Sequence, residues 1–501
     1  MIRTSMRLVA LAALAVGLLL VLFRAGESVS ASPSLQNEMA AGKKVYEARC
    51  QYCHGAQGKG DGPGAAAMYP RPRDFTSSAF KIRSTESGDA PTDADLVKIV
   101  NDGMPGTTMP AWRGVLSDAE IRQVVAYLKS FDARLFDPQS PPKPIQLSGA
   151  APGSSQASIE KGKTLYQELQ CWKCHGQQAR GDGPSAFELK DKLDNKILPA
   201  DLTKPWNFRG GASAQDLFRT LSTGLTGTPM PSFADSTSDQ ERWDLVNYLR
   251  SLAPTDKRPE AKAVLSAKRV EGALPADANS DVWWQAERFY FPLVGQLVHE
   301  PRLFTPAIDL VVAQALYNES EIAILVSWND RAEDKKANGD DGLAIQFPNV
   351  IPDALERPYF ILGDANHPVN LWQWQASTGK IEEANATGLN SITVKKPDSQ
   401  NARGAVTFRD GQYQMVVRRA LNTNDKDRAI QFAVGKLIPI AVSGWDGGSG
   451  EGGAKRSVSS WYSLYLEPPT PASAYLSIPI AIGLVLIVEG AVVWYARRKR
   501  Q

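Results

Sequence analysis

Cys50-Gln51-Tyr52-Cys53-His54 is the stretch on which the reading of this chain turns. Two cysteines separated by two residues, with histidine next, can hold a haem covalently. The thiols form thioethers with the haem vinyl groups and the imidazole ligates the iron. The stretch returns as Cys171-Trp172-Lys173-Cys174-His175, and the two copies consume all four cysteines of the chain. A zinc site needs four ligands close together, whereas these pairs stand about 120 residues apart. A thiol redox centre has no need of the histidine. The pattern points to two haems c, attached at Cys50, Cys53, Cys171 and Cys174 and ligated by His54 and His175.

Both ends of the chain carry membrane signals. Arg3 and Arg7 precede an apolar run over residues 8–23, and Val29-Ser30-Ala31 is an acceptable cleavage site. Residues 1–31 read as a signal peptide, or as an uncleaved anchor. Residues 476–496 form a mostly apolar stretch long enough to span a bilayer. Arg497-Arg498-Lys499-Arg500 follows, so the positive-inside rule leaves the tail in the cytoplasm and the bulk of the chain in the periplasm or an equivalent extracytoplasmic space. Covalent haem attachment takes place on that side too. Glu489 interrupts the span; it either reaches the headgroups or meets a partner helix. A net charge of +2 over 501 residues gives no argument for nucleic acid, and 43% apolar content suffices for about three buried cores.

Sliding the chain by 121 residues, from Cys50 to Cys171, superposes more than the cysteines. Gly60-Asp61-Gly62-Pro63 meets Gly181-Asp182-Gly183-Pro184, Thr107-Thr108-Met109-Pro110 meets Thr228-Pro229-Met230-Pro231, and Tyr127-Leu128 meets Tyr248-Leu249. The first half is one domain written twice. Each copy has a helix leading into the cysteine motif, a Gly/Pro-rich loop, a second helix (near 95–101 and 214–222), a methionine loop and a closing helix. Ser117 with Glu120 and Ser238 with Glu241 form capping boxes for the closing helices, and Ile121, Val124, Val125 and Leu128 share one face. A thioether suits haem iron as sixth ligand. Met109 aligns with Met230, whereas Met104 aligns with Leu225, so Met109 and Met230 are the expected ligands, and Met104 and Met68 pack near the haem or in loops.

These features resemble class I cytochrome c over about 38–132 and 158–252. The resemblance implies that Gly42 and Tyr46 pack against Tyr127, and Gly162 and Tyr166 against Tyr248. The domains are set at 36–134 and 158–256. Residues 135–157, rich in proline, join them as a stiff spacer or a passive tether.

From about residue 263 the chain changes to β-formers. Strands are expected near 289–298, 308–317, 321–328, 343–347, 369–374, 406–408, 413–417, 438–442 and 458–466, with Asp410-Gly411 as a hairpin turn. Seven tryptophans between Trp283 and Trp461 suit an aromatic core. An all-β sandwich over 265–468 follows.

Within it stand Trp328-Asn329-Asp330, Ala344-Ile345-Gln346-Phe347-Pro348, Gly363-Asp364, Pro368-Val369-Asn370-Leu371-Trp372-Gln373-Trp374, Trp445-Asp446-Gly447, and Lys455 before Ser457-Val458-Ser459-Ser460-Trp461. In order and spacing they resemble the haem b-binding gamma subunit of ethylbenzene dehydrogenase-type molybdenum enzymes. That resemblance implies a haem b held by a methionine and a lysine. Lys455 stands at the lysine position. Leu362 stands at the methionine position, and leucine cannot ligate iron. His367 or His299 could substitute, and Met415 shares a strand face with Tyr413 and Val417 and reads as core. Without a second ligand the domain would be a docking module.

The expected architecture is multidomain: two all-α cytochrome c domains, a β-sandwich domain and a transmembrane helix at 475–496. The expected function is electron transfer without catalysis, with two haems c and at most one haem b. The expected partners are a soluble cytochrome c or other redox protein and a membrane respiratory complex, or the catalytic subunit of a molybdenum oxidoreductase.

Overall fold

The computed structural model describes residues 35–469 except 138, 147–151, 254–261, 299, 301, 337–338 and 353–359. The expected signal peptide (1–31), the expected membrane span (475–496) and His299 lie outside the described residues. Among the described residues no helix is long and apolar enough to cross a membrane.

The first copy of the repeat contains α1 (Leu35–Arg49), α2 (Gln51–His54), α3 (Asp93–Asp102) and α4 (Asp118–Lys129). The second contains α5 (Gln156–Glu168), α6 (Trp172–His175), α7 (Ala214–Thr223) and α8 (Asp239–Ser251). The closing helices begin where the sequence caps them. The Ser117 hydroxyl accepts the Glu120 N–H at 3.2 Å, and the Glu120 carboxylate accepts the Ser117 N–H at 2.8 Å. Ser238 and Glu241 repeat this. Thr92 and Asp95 cap α3 in the same way, a box the sequence reading missed because Asp takes the place of the usual Glu or Gln. Helix α4 buries Ile121, Val124, Val125 and Leu128, the face expected for it.

In each copy the first and last helices cross at a glycine. A Cβ on Gly42 would sit 1.9 Å from the Gln123 carbonyl oxygen of α4, and one on Gly162 would sit 2.1 Å from the Asp244 carbonyl oxygen of α8. That close approach brings Tyr46 to 5.4 Å from Tyr127, and Tyr166 to 5.5 Å from Tyr248, ring centre to ring centre.

The two copies touch. Arg83, 1% exposed, donates to the Thr223 carbonyl at 2.9 Å, and Lys81 pairs with Asp191 at 3.4 Å. In the described part of the joining segment the Ile145 N–H donates to the Ser84 carbonyl at 2.7 Å.

The β domain runs β1 (Val264–Arg269), β2 (Phe289–Pro292), β3 (Leu310–Tyr317), β4 (Glu321–Asn329), β5 (Lys335–Lys336), β6 (Gly339–Asp340), β7 (Gly342–Pro348), β8 (Val369–Gln375), β9 (Ile381–Ala386), β10 (Thr393–Val394), β11 (Arg403–Arg409), β12 (Gln412–Ala420), β13 (Leu437–Trp445), β14 (Ser457–Val458) and β15 (Tyr462–Leu466). One hydrogen-bonded path, β10-β9-β8-β7-β13-β15-β1-β3-β4-β12-β11, connects eleven of its strands; β14 pairs with β13 and β2 with β3 off this path, and β5 and β6 pair by themselves. Strand β13 is the hinge of two layers: residues 437–440 pair with β15, and residues 441–445 pair with β7. The layers face each other, with Trp328 of β4 at 6.1 Å from Trp374 of β8 and stacked at 4.9 Å on Tyr413 of β12. The sandwich therefore shares a strand between its sheets.

Two expected strands are shorter than read. Strand β2 stops at Pro292, which brings no N–H to the ladder, and Val294 bonds instead with Val458. The stretch 458–466 breaks because the Ser459 hydroxyl accepts the Val442 N–H at 2.8 Å in place of a backbone carbonyl. Strands β1 and β9 were not anticipated. β9 carries two glutamates and an asparagine, residues with little strand preference, and is held by pairing with β8.

Strands β7 and β8 are buried almost throughout, so both faces of this layer are covered. Leu343, Ile345, Phe347, Trp372 and Trp374 face the interlayer core. Val369, Leu371, Ala384, Ala386 and Ala441 face outward beneath Phe360, Ile361 and Leu362.

The crossings generate a stability prediction. Gly42→Ala and Gly162→Ala should each cost their domain about 1–3 kcal/mol, read by denaturant unfolding, because the new methyl meets backbone and not a movable side chain. Gly153→Ala, where a Cβ meets nothing within 4 Å, should leave stability unchanged.

Candidate haem centres

Each cysteine motif forms a single helical turn at the end of a longer helix. The His54 N–H donates to the Cys50 carbonyl and the His175 N–H to the Cys171 carbonyl, both at 2.9 Å. The turn is tied back to its helix: the Tyr46 hydroxyl donates to the Gly55 carbonyl and the Tyr166 hydroxyl to the Gly176 carbonyl, both at 2.7 Å.

The histidine rings are set for ligation. His54 Nδ1 lies 3.0 Å from the Arg73 carbonyl, and His175 Nδ1 lies 2.9 Å from the Ala200 carbonyl. A carbonyl only accepts, so Nδ1 carries the proton and Nε2 keeps its lone pair. Burial pushes the His54 imidazole down to about 4 and lowers that of His175, so both rings are neutral at physiological pH. His54 also stacks on Phe75 at 4.6 Å.

The cysteines suit thioether formation better than thiolate chemistry. None is in a disulfide. Burial pushes the Cys50 and Cys53 thiols up to about 12 and the Cys171 thiol up to about 11, far from the depressed values of redox or metal-thiolate cysteines.

The methionine loops match bond for bond. In the first copy the Met104 N–H donates to the Met109 carbonyl at 3.1 Å, and the Met109 N–H to the Thr107 hydroxyl at 3.1 Å. In the second the Leu225 N–H donates to the Met230 carbonyl at 3.1 Å, and the Met230 N–H to the Thr228 hydroxyl at 3.2 Å. Met109 and Met230 are thus structural equivalents, and Met104 is the equivalent of Leu225. Gly103 and Gly224 open the loops at φ 66° and 62°, where backbone within 2.6 Å leaves no room for a Cβ.

Both loops lie at the boundary between the copies. Gly106 of the first abuts Asn207 of the second copy, and Gly227 of the second abuts Ala79 of the first. The two candidate centres therefore present their methionine sides to a common boundary, which the sequence could not show.

Met68 packs beside the first cysteine motif, and it also reaches a surface that the sequence did not show. It is 1% exposed and belongs to the outer cluster of the β domain, with Val294, Leu362, Val369, Val458 and Trp461, and with Cys53 packed beside it. It joins the first haem motif to the β domain. Around it Tyr69 meets Phe304 at 5.4 Å, and Lys204 of the second copy pairs with Asp309 at 2.7 Å.

The β-domain donors do not make up a methionine–lysine pair. Leu362 is 1% exposed inside the apolar cluster. Lys455 is half-buried in a turn closed by the Gly452 N–H donating to its carbonyl at 2.8 Å. His367 Nδ1 lies 3.0 Å from Asp364, on a ring about a third exposed. Met415 is fully buried in the interlayer core. The residues present supply a lysine and no thioether where the resemblance places one, so they do not fit that haem b.

Three family models match parts of the chain: cytochrome c oxidase, cbb3-type, subunit III over residues 37–128; cytochrome c over 159–253; and ethylbenzene dehydrogenase over 280–404. A putative respiratory nitrate reductase heme subunit ORF7 of Haloferax mediterranei is 26% identical over 44% of this chain and 78% of its own length. The dimethylsulfide dehydrogenase subunit gamma of Rhodovulum sulfidophilum is 27% identical over 40% of this chain and 79% of its own. Cytochrome c55X of Paracoccus denitrificans is 34% identical over 22% of this chain and 89% of its own.

Met68→Ala should cost about 2–5 kcal/mol of stability. Because the lost contacts cross a domain boundary, calorimetry should show the first cytochrome domain melting apart from the β domain, where the parent chain melts them together.

Proposed function

Because the chain belongs to the cytochrome c family through two tandem domains, with an ethylbenzene dehydrogenase-type domain behind them, we propose that it is the electron-relaying haem subunit of a respiratory oxidoreductase complex. What supports this is the pair of equivalent cysteine–histidine motifs and methionine loops, each methionine loop lying against the other copy. Haem c bound in each copy would supply a one-electron centre. Cys50 and Cys53 would hold the first and Cys171 and Cys174 the second. His54 and His175, their Nδ1 held by the Arg73 and Ala200 carbonyls, would ligate the iron through Nε2. Met109 and Met230 would supply the second ligand of each. Iron so ligated would have no position open for a substrate, so the chain would turn over no small molecule alone.

The β domain seats the first cytochrome domain and docks the relay on a catalytic subunit. Its donors favour two haems c and no haem b. The names of the nitrate reductase and dimethylsulfide dehydrogenase relatives support a partner that oxidises or reduces such small molecules. A molybdenum subunit recovered with the native complex would fit this reading; a Rieske or cytochrome b subunit would favour a quinol-oxidising complex. We place the bulk of the chain outside the cytoplasm, anchored by residues 476–496, on the strength of the apolar run and its basic tail.

Three measurements test the proposal. A pyridine haemochrome spectrum should count two haems c and no haem b; a haem b that disappears in Lys455→Ala would reverse the reading of the β domain. The sulfur-to-iron band at the red end of the oxidised spectrum should lose about half its intensity in Met109→Ala and none in Met104→Ala, each of two equal centres supplying about half the band. A reporter fused after Gln501 should be active in the cytoplasm, and activity on the outer side would refute the anchor.

A further inference from the structure

At one end of the β domain the chain brings together carboxylates that electron relay does not use. Asp330 follows β4, Asp341 precedes β7 and Asp446 follows β13. One carboxylate oxygen from each lies within 4.8 Å of the others. All three are at least nine-tenths buried, at 9%, 0% and 8% exposure. Among the described residues none of them pairs with a lysine, arginine or histidine.

Their hydrogen bonds are uneven. Asp341 accepts the Tyr413 hydroxyl at 2.7 Å, the Asp334 N–H at 2.7 Å and the Gly447 N–H at 2.9 Å. Asp446 accepts the Ser449 N–H at 3.0 Å and its hydroxyl at 2.7 Å. Asp330 accepts the Ala332 N–H on Oδ1 in a long bond of 3.3 Å. Its Oδ2 is buried and has no hydrogen-bond partner among the described residues. A buried carboxylate oxygen without a hydrogen-bond partner, clustered with two further carboxylates, is unfavourable unless a proton or a cation lies among them.

We propose that Asp330, Asp341 and Asp446 form a site for a hard divalent cation, calcium, which clamps the ends of β4, β7 and β13 together. The donors are all oxygen, as calcium prefers. Calcium–oxygen bonds of about 2.3–2.6 Å allow two ligands of one ion to stand up to about 4.6–5.2 Å apart, so oxygens within 4.8 Å of one another can share it. Magnesium, which demands near-ideal octahedral geometry at about 2.0–2.1 Å and keeps most of its water, suits a buried cluster of carboxylates less well. The ion would pin the ends of β4 and β7 and the 446–455 loop, which ends at Lys455.

The test uses the full-length haem protein, stripped with chelator and dialysed against calcium chloride. Elemental analysis should find one calcium per chain, and calcium should raise the melting temperature by about 3–6 °C at a hundredfold excess over Kd. Asp330→Asn keeps the shape and removes a charge. In calcium-free buffer it should melt at or above the parent temperature, and its calcium affinity should fall at least about tenfold. Asp446→Asn should lose affinity likewise, which guards against one variant failing to fold. An exposed control, Asp398→Asn, should bind as the parent does. No calcium retained by the parent, or equal retention by both site variants, overturns the proposal. A parent whose melting temperature ignores calcium overturns the clamp.

Discussion

The outer face of the β7–β8 layer must be covered, and the rest of the assembly depends on how. Both faces of these strands are apolar. One is buried by the opposing layer. The other is closed partly by the 360–362 segment and partly by Met68, a residue almost 300 positions away in the first cytochrome domain. Burying one methionine side chain is worth about 1.5–3 kcal/mol, and the contact also removes an apolar patch that would otherwise face water. The first haem motif is thereby fixed to the β domain through Cys53, next in sequence to His54.

Much of the relay was legible in the sequence because covalent chemistry and periodicity are local. The cysteine motifs and both closing helices with their caps follow from spacing, and the Gly42–Tyr46–Tyr127 crossing from the resemblance to class I cytochrome c. The correspondence of Met109 with Met230 was available from the repeat, and the loop hydrogen bonds reproduce it. What could not be read was where a side chain goes once it leaves its own domain. Met68 sits in an alanine-rich loop with no periodicity to mark it. Arg83 looks like any surface arginine until the second copy buries it against Thr223. The boundary shared by the methionine loops has the same character: Gly106 and Gly227 announce tight turns but not what lies across from them.

The β domain shows the complementary failure. Strands with strong alternation or long apolar runs were found. β9 was not, since its residues disfavour strands and the β8 ladder overrides that preference. Pro292 and Ser459 ended two strands early for opposite reasons, one by lacking a donor and the other by offering its own hydroxyl as an acceptor. The Asp330–Asp341–Asp446 cluster was invisible for a third reason: its members come from three strand ends that only the layer topology brings together, and each reads alone as a turn residue.

Leu362 connects these points to function. A thioether at this position would need open volume beside it for a flat cofactor. In this chain the position holds a leucine, and the neighbouring space holds Met68, Val294, Val458 and Trp461. The two changes fit each other, because an apolar side chain that cannot bind metal favours the same dry packing that seats the cytochrome domain. The methionine–lysine pair is incomplete at the place where the first haem motif arrives. The β domain thus contributes position where the resemblance implied a redox centre: it holds the Cys50–His54 turn against the outer face of the β7–β8 layer, while the second copy, tied by Lys204 to Asp309 at the start of β3 in the other layer, fixes the boundary at which both methionine loops lie.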